Sequence, residues 1–167
     1  MPSNEPRFMF KANLRSQIGK TYVKFSGGGG SGPPVTAYVD NNEKTDESQI
    51  WRFYSVPGYD TRVVIKNQGM RGPLFAETYA SFAEDEYAVQ CKKSTSVWNA
   101  TSQWYLEGGD IEDMKSGFVI RLRNVKLSHS YLDLSSGSKA NGTAFLVYPG
   151  HWGSNQVFKL ENLSREQ

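Results

Sequence analysis

Apolar and polar residues alternate along most of this chain in short runs. Residues 7–14 alternate around Phe8 and Phe10, and residues 21–25, 35–39 and 49–56 read as three more short strands. The same period returns at 62–66 and 87–91, then after Trp104, and again at 118–123 and 131–134. A last apolar run ends in Tyr148, and Phe158 opens one more alternating stretch. Residues 74–82 fit either a strand or a short helical turn. Between the runs lie turn-forming stretches: 26–34 (SGGGGSGPP), the acidic 40–48, 67–73 (NQGMRGP), the polar 92–102 with Trp98, and 107–117. The first six residues carry no pattern and are expected to be disordered. Four consecutive glycines cost too much entropy to order in a packed element, so 26–34 is expected to be a mobile surface loop. Its GGGGS also has the composition of an engineered linker.

The runs repeat. Trp51 follows Gln49-Ile50, Trp104 follows Gln103, and Phe158 follows Gln156-Val157, at spacings of 104 − 51 = 53 and 158 − 104 = 54. Tyr38 and Cys91 each stand 13 residues before their tryptophan (51 − 38 and 104 − 91). A unit of this size has too few apolar residues to bury them alone, whereas three units can close a shared barrel and remove most exposed edges. The repeated aromatic would fill the common core. The glutamine would satisfy backbone groups left unpaired by the chain reversal. The reading is one all-β domain over 1–167, with repeats at about 7–58, 59–112 and 116–163.

With these repeats the chain resembles the ricin-B-type β-trefoil lectins. That resemblance implies twelve strands, six closing a barrel and six forming hairpins that cap it.

The third repeat carries more chemistry than its siblings. A pyranose presents an apolar face that stacks on an aromatic ring, and vicinal hydroxyls that suit a fixed carboxylate and an amide. Asp133 offers the carboxylate, Tyr148 the ring, Asn155 an amide, with Gln156 beside it and His151 three past the ring. Leu132-Asp133-Leu134, Tyr148-Pro149-Gly150-His151 and Asn155-Gln156-Val157-Phe158 resemble the galactose-site pattern of the last ricin-B unit, with Phe158 in place of Trp. The resemblance implies Asp133, Tyr148, His151, Asn155 and Gln156 as carbohydrate-binding residues, and glycans ending in galactose or GalNAc as partners. The alternative is structural: Asp133 capping a turn, Tyr148 half-buried, Asn155 and Gln156 bracing the backbone. In the first unit Lys24 stands where Asp133 would be, Tyr38 supplies a ring, and Ser48 rather than Asn precedes Gln49. In the second, Phe75 is expected at the carboxylate position and Cys91 at the ring, so one site is expected.

A different class also fits. Pro34-Val35-Thr36-Ala37, Gln49-Ile50-Trp51 and Ile65-Lys66-Asn67-Gln68-Gly69 resemble the mycocypins, fungal β-trefoil inhibitors of cysteine proteases. That resemblance implies a protease partner met by exposed loops: Gly28 and Gly29 beside a papain-type cleft, or Arg71 in a trypsin-like pocket. Met70-Arg71 departs from the asparagine expected of a legumain-binding loop.

Bulk properties narrow the classes further. A net charge of +2 gives no sign of a nucleic-acid partner, and no apolar run approaches a membrane span. No metal spacing, cofactor motif or nucleophile context accompanies His129 and His151, so no cofactor and no enzyme activity are expected. The acidic trio Asp110, Glu112 and Asp113 reads as a solvated connector. A single cysteine and no apolar leader at the N-terminus suggest a cytoplasmic setting, with release by an unconventional route left open. On that basis the Asn-x-Ser/Thr triplets at Asn99, Asn141 and Asn162 read as chance. Oligomeric state is left open, a homodimer included.

Overall fold

The computed structural model describes residues 5–25, 35–39, 42–70, 78–82, 87–93, 99–151 and 153–167. Twelve strands run through them, four to a unit. The first unit holds β1 (Arg7–Ser16), β2 (Tyr22–Phe25), β3 (Val35–Tyr38) and β4 (Trp51–Ser55). The second holds β5 (Arg62–Asn67), β6 (Thr78–Phe82), β7 (Val89–Lys93) and β8 (Trp104–Glu107). The third holds β9 (Val119–Asn124), β10 (Ser130–Leu134), β11 (Thr143–Pro149) and β12 (Phe158–Ser164). The undecided stretch 74–82 is therefore a strand over Thr78–Phe82, and its earlier residues lie outside the described ones.

Six strands close a barrel. β1 pairs with β4, β4 with β5, β5 with β8, β8 with β9, β9 with β12, and β12 returns to β1, all antiparallel. The other six form the hairpins β2–β3, β6–β7 and β10–β11. Two hairpins also pair edge to edge, Thr143 and Ala144 of β11 facing Ala37 and Thr36 of β3.

Equivalent residues from the three units meet inside. Trp51, Trp104 and Phe158 are buried, as are Leu14, Ile65 and Leu122 one layer on. Each tryptophan indole N–H donates to a hairpin carbonyl, Trp51 to Val23 O at 2.8 Å and Trp104 to Ala80 O at 3.1 Å. Phe158 has no such donor, so the third unit holds its hairpin without that bond. A buried amide recurs at the end of the barrel strands. Asn67 donates to Ser48 O and accepts from Gly69 N, and Asn124 donates to Thr101 O and accepts from Lys126 N. In the first unit Ser16 accepts from Ile18 N at the corresponding place.

The seams between units are polar and repeat as well. Tyr131 donates to Glu107, which also receives Arg123. Tyr22 donates to Glu161, which also receives Arg15. Burial and the acidic partner raise both phenols, Tyr22 to about 12. At the remaining seam Tyr54 replaces the acid, and Lys66 lies between the Tyr54 and Tyr79 rings.

The connector behaves as expected on one face only. Asp110, Glu112 and Asp113 are exposed, but Ile111 and Met114 between them are buried in the core.

Candidate functional site

Each unit makes a 3-10 turn just before its core aromatic: Glu47–Gln49, Ala100–Ser102 and Ser154–Gln156. The turn bonds fix the correspondence. Ile50, Gln103 and Val157 each donate their backbone N–H to the first residue of their own turn. Gln49, Ser102 and Gln156 are therefore equivalent. Gln103 stands one place later than Gln49 and Gln156 in its turn, since Gln103-Trp104 lacks the spacer residue. Ser102 holds that place, buried, and Gln103 accepts from Arg62 instead.

In the third unit the hairpin and the turn deliver one cluster. Asp133 lies on the outward face of β10, in register with Leu146 of β11. The Ser154–Gln156 turn folds over it, and the residue is only 3% exposed. Its Oδ1 accepts from Asn155 Nδ2 at 2.9 Å, and its Oδ2 accepts from Gln156 Nε2 at 2.8 Å. His151 Nδ1 accepts from Gly153 N at 2.9 Å, which places the imidazole proton on Nε2. That N–H donates to Asp133 Oδ2 at 3.3 Å. Gln156 also does the expected bracing. Its amide donates to Pro149 O at 3.0 Å, and its carbonyl accepts from His151 N at 3.3 Å.

Tyr148, 52% exposed, stands at the rim, its ring centroid 6.1 Å from that of His151 in an edge-on arrangement. All five expected residues thus gather at one place. A carboxylate has about four lone-pair directions, and three of Asp133's are filled from within the chain. Oδ1 takes one bond, from Asn155, and Oδ2 takes two, from Gln156 and His151.

The first unit has a counterpart that its sequence conceals. Lys24 does occupy the place of Asp133, since Val23 pairs with Ala37 as Leu132 pairs with Val147. The carboxylate has moved to the loop. Asp46 Oδ2 receives Gln49 Nε2 at 3.1 Å and Lys24 Nζ at 3.1 Å, and Oδ1 receives Ser48. Burial raises the Asp46 carboxyl, but the bonds from Ser48, Gln49 and Lys24 outweigh it and bring it down to about 2. The Lys24 ammonium also lies 5.0 Å from the Tyr38 ring centre, so that ring is covered by a cation. The described part of the acidic stretch, 42–48, is thus anchored at Asp46 rather than wholly solvated.

The second unit corrects two expectations. Ala80 pairs with Cys91 as Leu132 pairs with Val147, so Ser81, not Phe75, stands at the carboxylate position. Tyr79 pairs with Lys92 as Tyr131 pairs with Tyr148, so Lys92, not Cys91, stands at the ring position. Cys91 faces the core, where burial lifts its thiol to about 12. Ser81 donates to Thr101, which in turn is held by Asn99. Asn99 and Asp46 hold the same turn position, three residues before the bracing residue. That spacing was the available signal for Asp46.

Gly28, Gly29 and Arg71 lie outside the described residues. Among the described residues no three His, Cys, Asp or Glu side chains gather as metal ligands.

No curated protein matches the chain in sequence. Among solved structures, a mosquitocidal holotoxin superposes with a TM-score of 0.71 at 16% identity, covering 100% of this chain. The chain spans only 18% of that toxin's length. The Rhizoctonia solani agglutinin gives 0.66 at 19% identity, covering 96% of this chain and 98% of its own. The Macrolepiota procera ricin B-like lectin, solved with lactose, gives 0.63 at 14% identity over 96% and 97%. At these identities the likeness shows the fold alone. The model of the ricin-type β-trefoil lectin domain-like family matches residues 47–148, reaching Asp133 and Tyr148 but ending before His151. With its closed barrel, three hairpins and that match, the chain belongs to the ricin-type β-trefoil lectin domain-like family.

Proposed function

We propose that the chain is a carbohydrate-binding module with one site in its third unit, directed at terminal galactose or GalNAc. The observation that carries this reading is the Asp133 cluster. A carboxylate is held rigid by Asn155 and Gln156 beside the exposed ring of Tyr148. Family membership and the lactose-bound neighbour support carbohydrate as the ligand class. A hydroxyl of the sugar would donate to Oδ1, a second would replace His151 on Oδ2, and the apolar sugar face would lie on Tyr148. Asn155 spends an N–H on Oδ1, which leaves its carbonyl to accept from the sugar.

A few bonds of about 1 kcal/mol each plus one stacking contact give millimolar affinity for a monosaccharide. Useful retention would then come from clustered ligands. Retention on immobilised lactose, eluted by free galactose and abolished in Asp133→Ala, is the expected result. Absence of retention on galactose, GalNAc and lactose supports would overturn the reading.

A further inference from the structure

We propose that a second hollow, on the far side of the 148–151 loop, receives an oxyanion: a sulfate or carboxylate carried on the saccharide. It is lined by Arg121, Arg123, Ser128, His129, Tyr131 and Gly150. Arg121 and Arg123 alternate with buried Ile120 and Leu122 along β9, so both project outward. Their guanidinium planes are held by rings, Arg121 over Tyr131 at 4.0 Å and Arg123 over Tyr105 at 4.2 Å.

Arg123 also donates to Glu107 at 2.8 Å and to Ser128 O at 3.1 Å. Two of its five N–H donors are thereby used, and three have no partner among the described residues. Glu107 bonds into this group beside two arginines, and His129 adds further donor capacity at the exposed rim. Planar guanidinium forks match oxyanions better than neutral hydroxyls.

The hollow shares its wall with the sugar site. Tyr131 and Tyr148 are register partners on β10 and β11. Gly150 donates to His129 O at 2.9 Å, and a Cβ on Gly150 would come within 2.7 Å of the Tyr131 ring. The loop therefore packs flat on Tyr131, with Tyr148 at one end and the arginines at the other. A sugar on Tyr148 would carry its substituents toward Arg121.

The saccharide half of the proposal rests on the sugar-site reading, and the anion half does not. Two measurements on the full chain separate them. In the first, backbone amide spectra are followed during titration with sodium sulfate against sodium chloride at equal ionic strength. Sulfate-specific shifts at residues 128–131 and 150, lost in Arg121→Gln, are expected. In the second, calorimetry compares galactose with galactose 6-sulfate and galacturonic acid. At least one charged sugar should bind about tenfold tighter than galactose, the scale of one charge-assisted bond. The arm that gains identifies sulfate or carboxylate as the preferred group. His129→Ala, an exposed change, should reduce the gain and serves if Arg121→Gln unfolds.

Sulfate shifts without any sugar binding would keep the pocket and remove the sugar site. Galactose binding with no sulfate shift and no charged-sugar gain would do the reverse and overturn this proposal.

Discussion

The first and third units solve one problem in two ways. In both, a buried glutamine at the end of a 3-10 turn needs a carboxylate acceptor. The third unit supplies it from the hairpin strand through Asp133. The first supplies it from the loop through Asp46 and fills the strand position with Lys24. A carboxylate beside the glutamine is therefore shared by both units and does not by itself set them apart. The differences lie around it. The first unit covers its ring with an ammonium and answers its carboxylate with a full positive charge. The third leaves its ring open and answers its carboxylate with two amides and an imidazole N–H.

Removing the shared element from the third unit gives the largest expected effect. Asp133→Ala should abolish binding to immobilised lactose. It should also lower stability by about 1–3 kcal/mol, because buried amide donors lose their acceptor. Denaturant unfolding reads the second effect. Converting the first unit into the third is the sharper test. Lys24→Asp with Asp46→Gly and Ser48→Asn should raise the galactose stoichiometry in calorimetry from one to two. A stoichiometry that stays at one would show that ring exposure, not the charge arrangement, separates the units. Tyr148→Ala should weaken galactose about tenfold through lost stacking, while stability changes by no more than about 0.5 kcal/mol at this exposed position.

The pH response separates the two carboxylates as well. Asp46 sits at about 2 in the folded chain, below its ordinary 3.8. Its contribution is whole above about pH 3.8 and is lost as pH falls through about 2. With the pair partly open to water, that contribution is on the order of 1 kcal/mol. Asp46→Asn should flatten the stability curve across this window, as read by urea unfolding at stepped pH. The smallest effect is at His151. Since it occupies an acceptor that the proposed sugar would need, His151→Ala should tighten galactose by up to about fivefold, the equivalent of one bond of about 1 kcal/mol. Weaker binding in that variant would make His151 a sugar contact instead.

Much of the architecture was legible because it rests on local pattern. Alternation located the strands, and the recurring aromatics set the threefold count. The five residues of the third unit could be read together because they fall within 24 positions (156 − 133 + 1) and meet through one hairpin and one turn. Equivalences between units were less legible where loop lengths differ. The second unit's strand Thr78–Phe82 is buried on both faces, so no alternation marks Ser81 as the outward position. One missing spacer before Trp104 made Gln103 look like a bracing residue. Asp46 was hidden for a different reason. Its partner Lys24 lies 22 residues away (46 − 24), and only the β2–β3 hairpin brings them together. The two arginines beside Tyr131 were likewise unremarkable as sequence, because Tyr105 and Glu107, which fix Arg123, come from the preceding unit.

The seam between Arg15, Tyr22 and Glu161 joins residues 146 and 139 positions apart. β1 lies between β4 and β12, so the barrel has an open side until its final strand is in place. Contacts of such range make folding slow, and an unpaired strand edge invites aggregation while it waits. During synthesis the first two units must leave the ribosome with that gap unfilled. The Asp133 cluster, built on the last unit, therefore assembles at the same stage as closure, when the unpaired strand edges that invite aggregation have been covered.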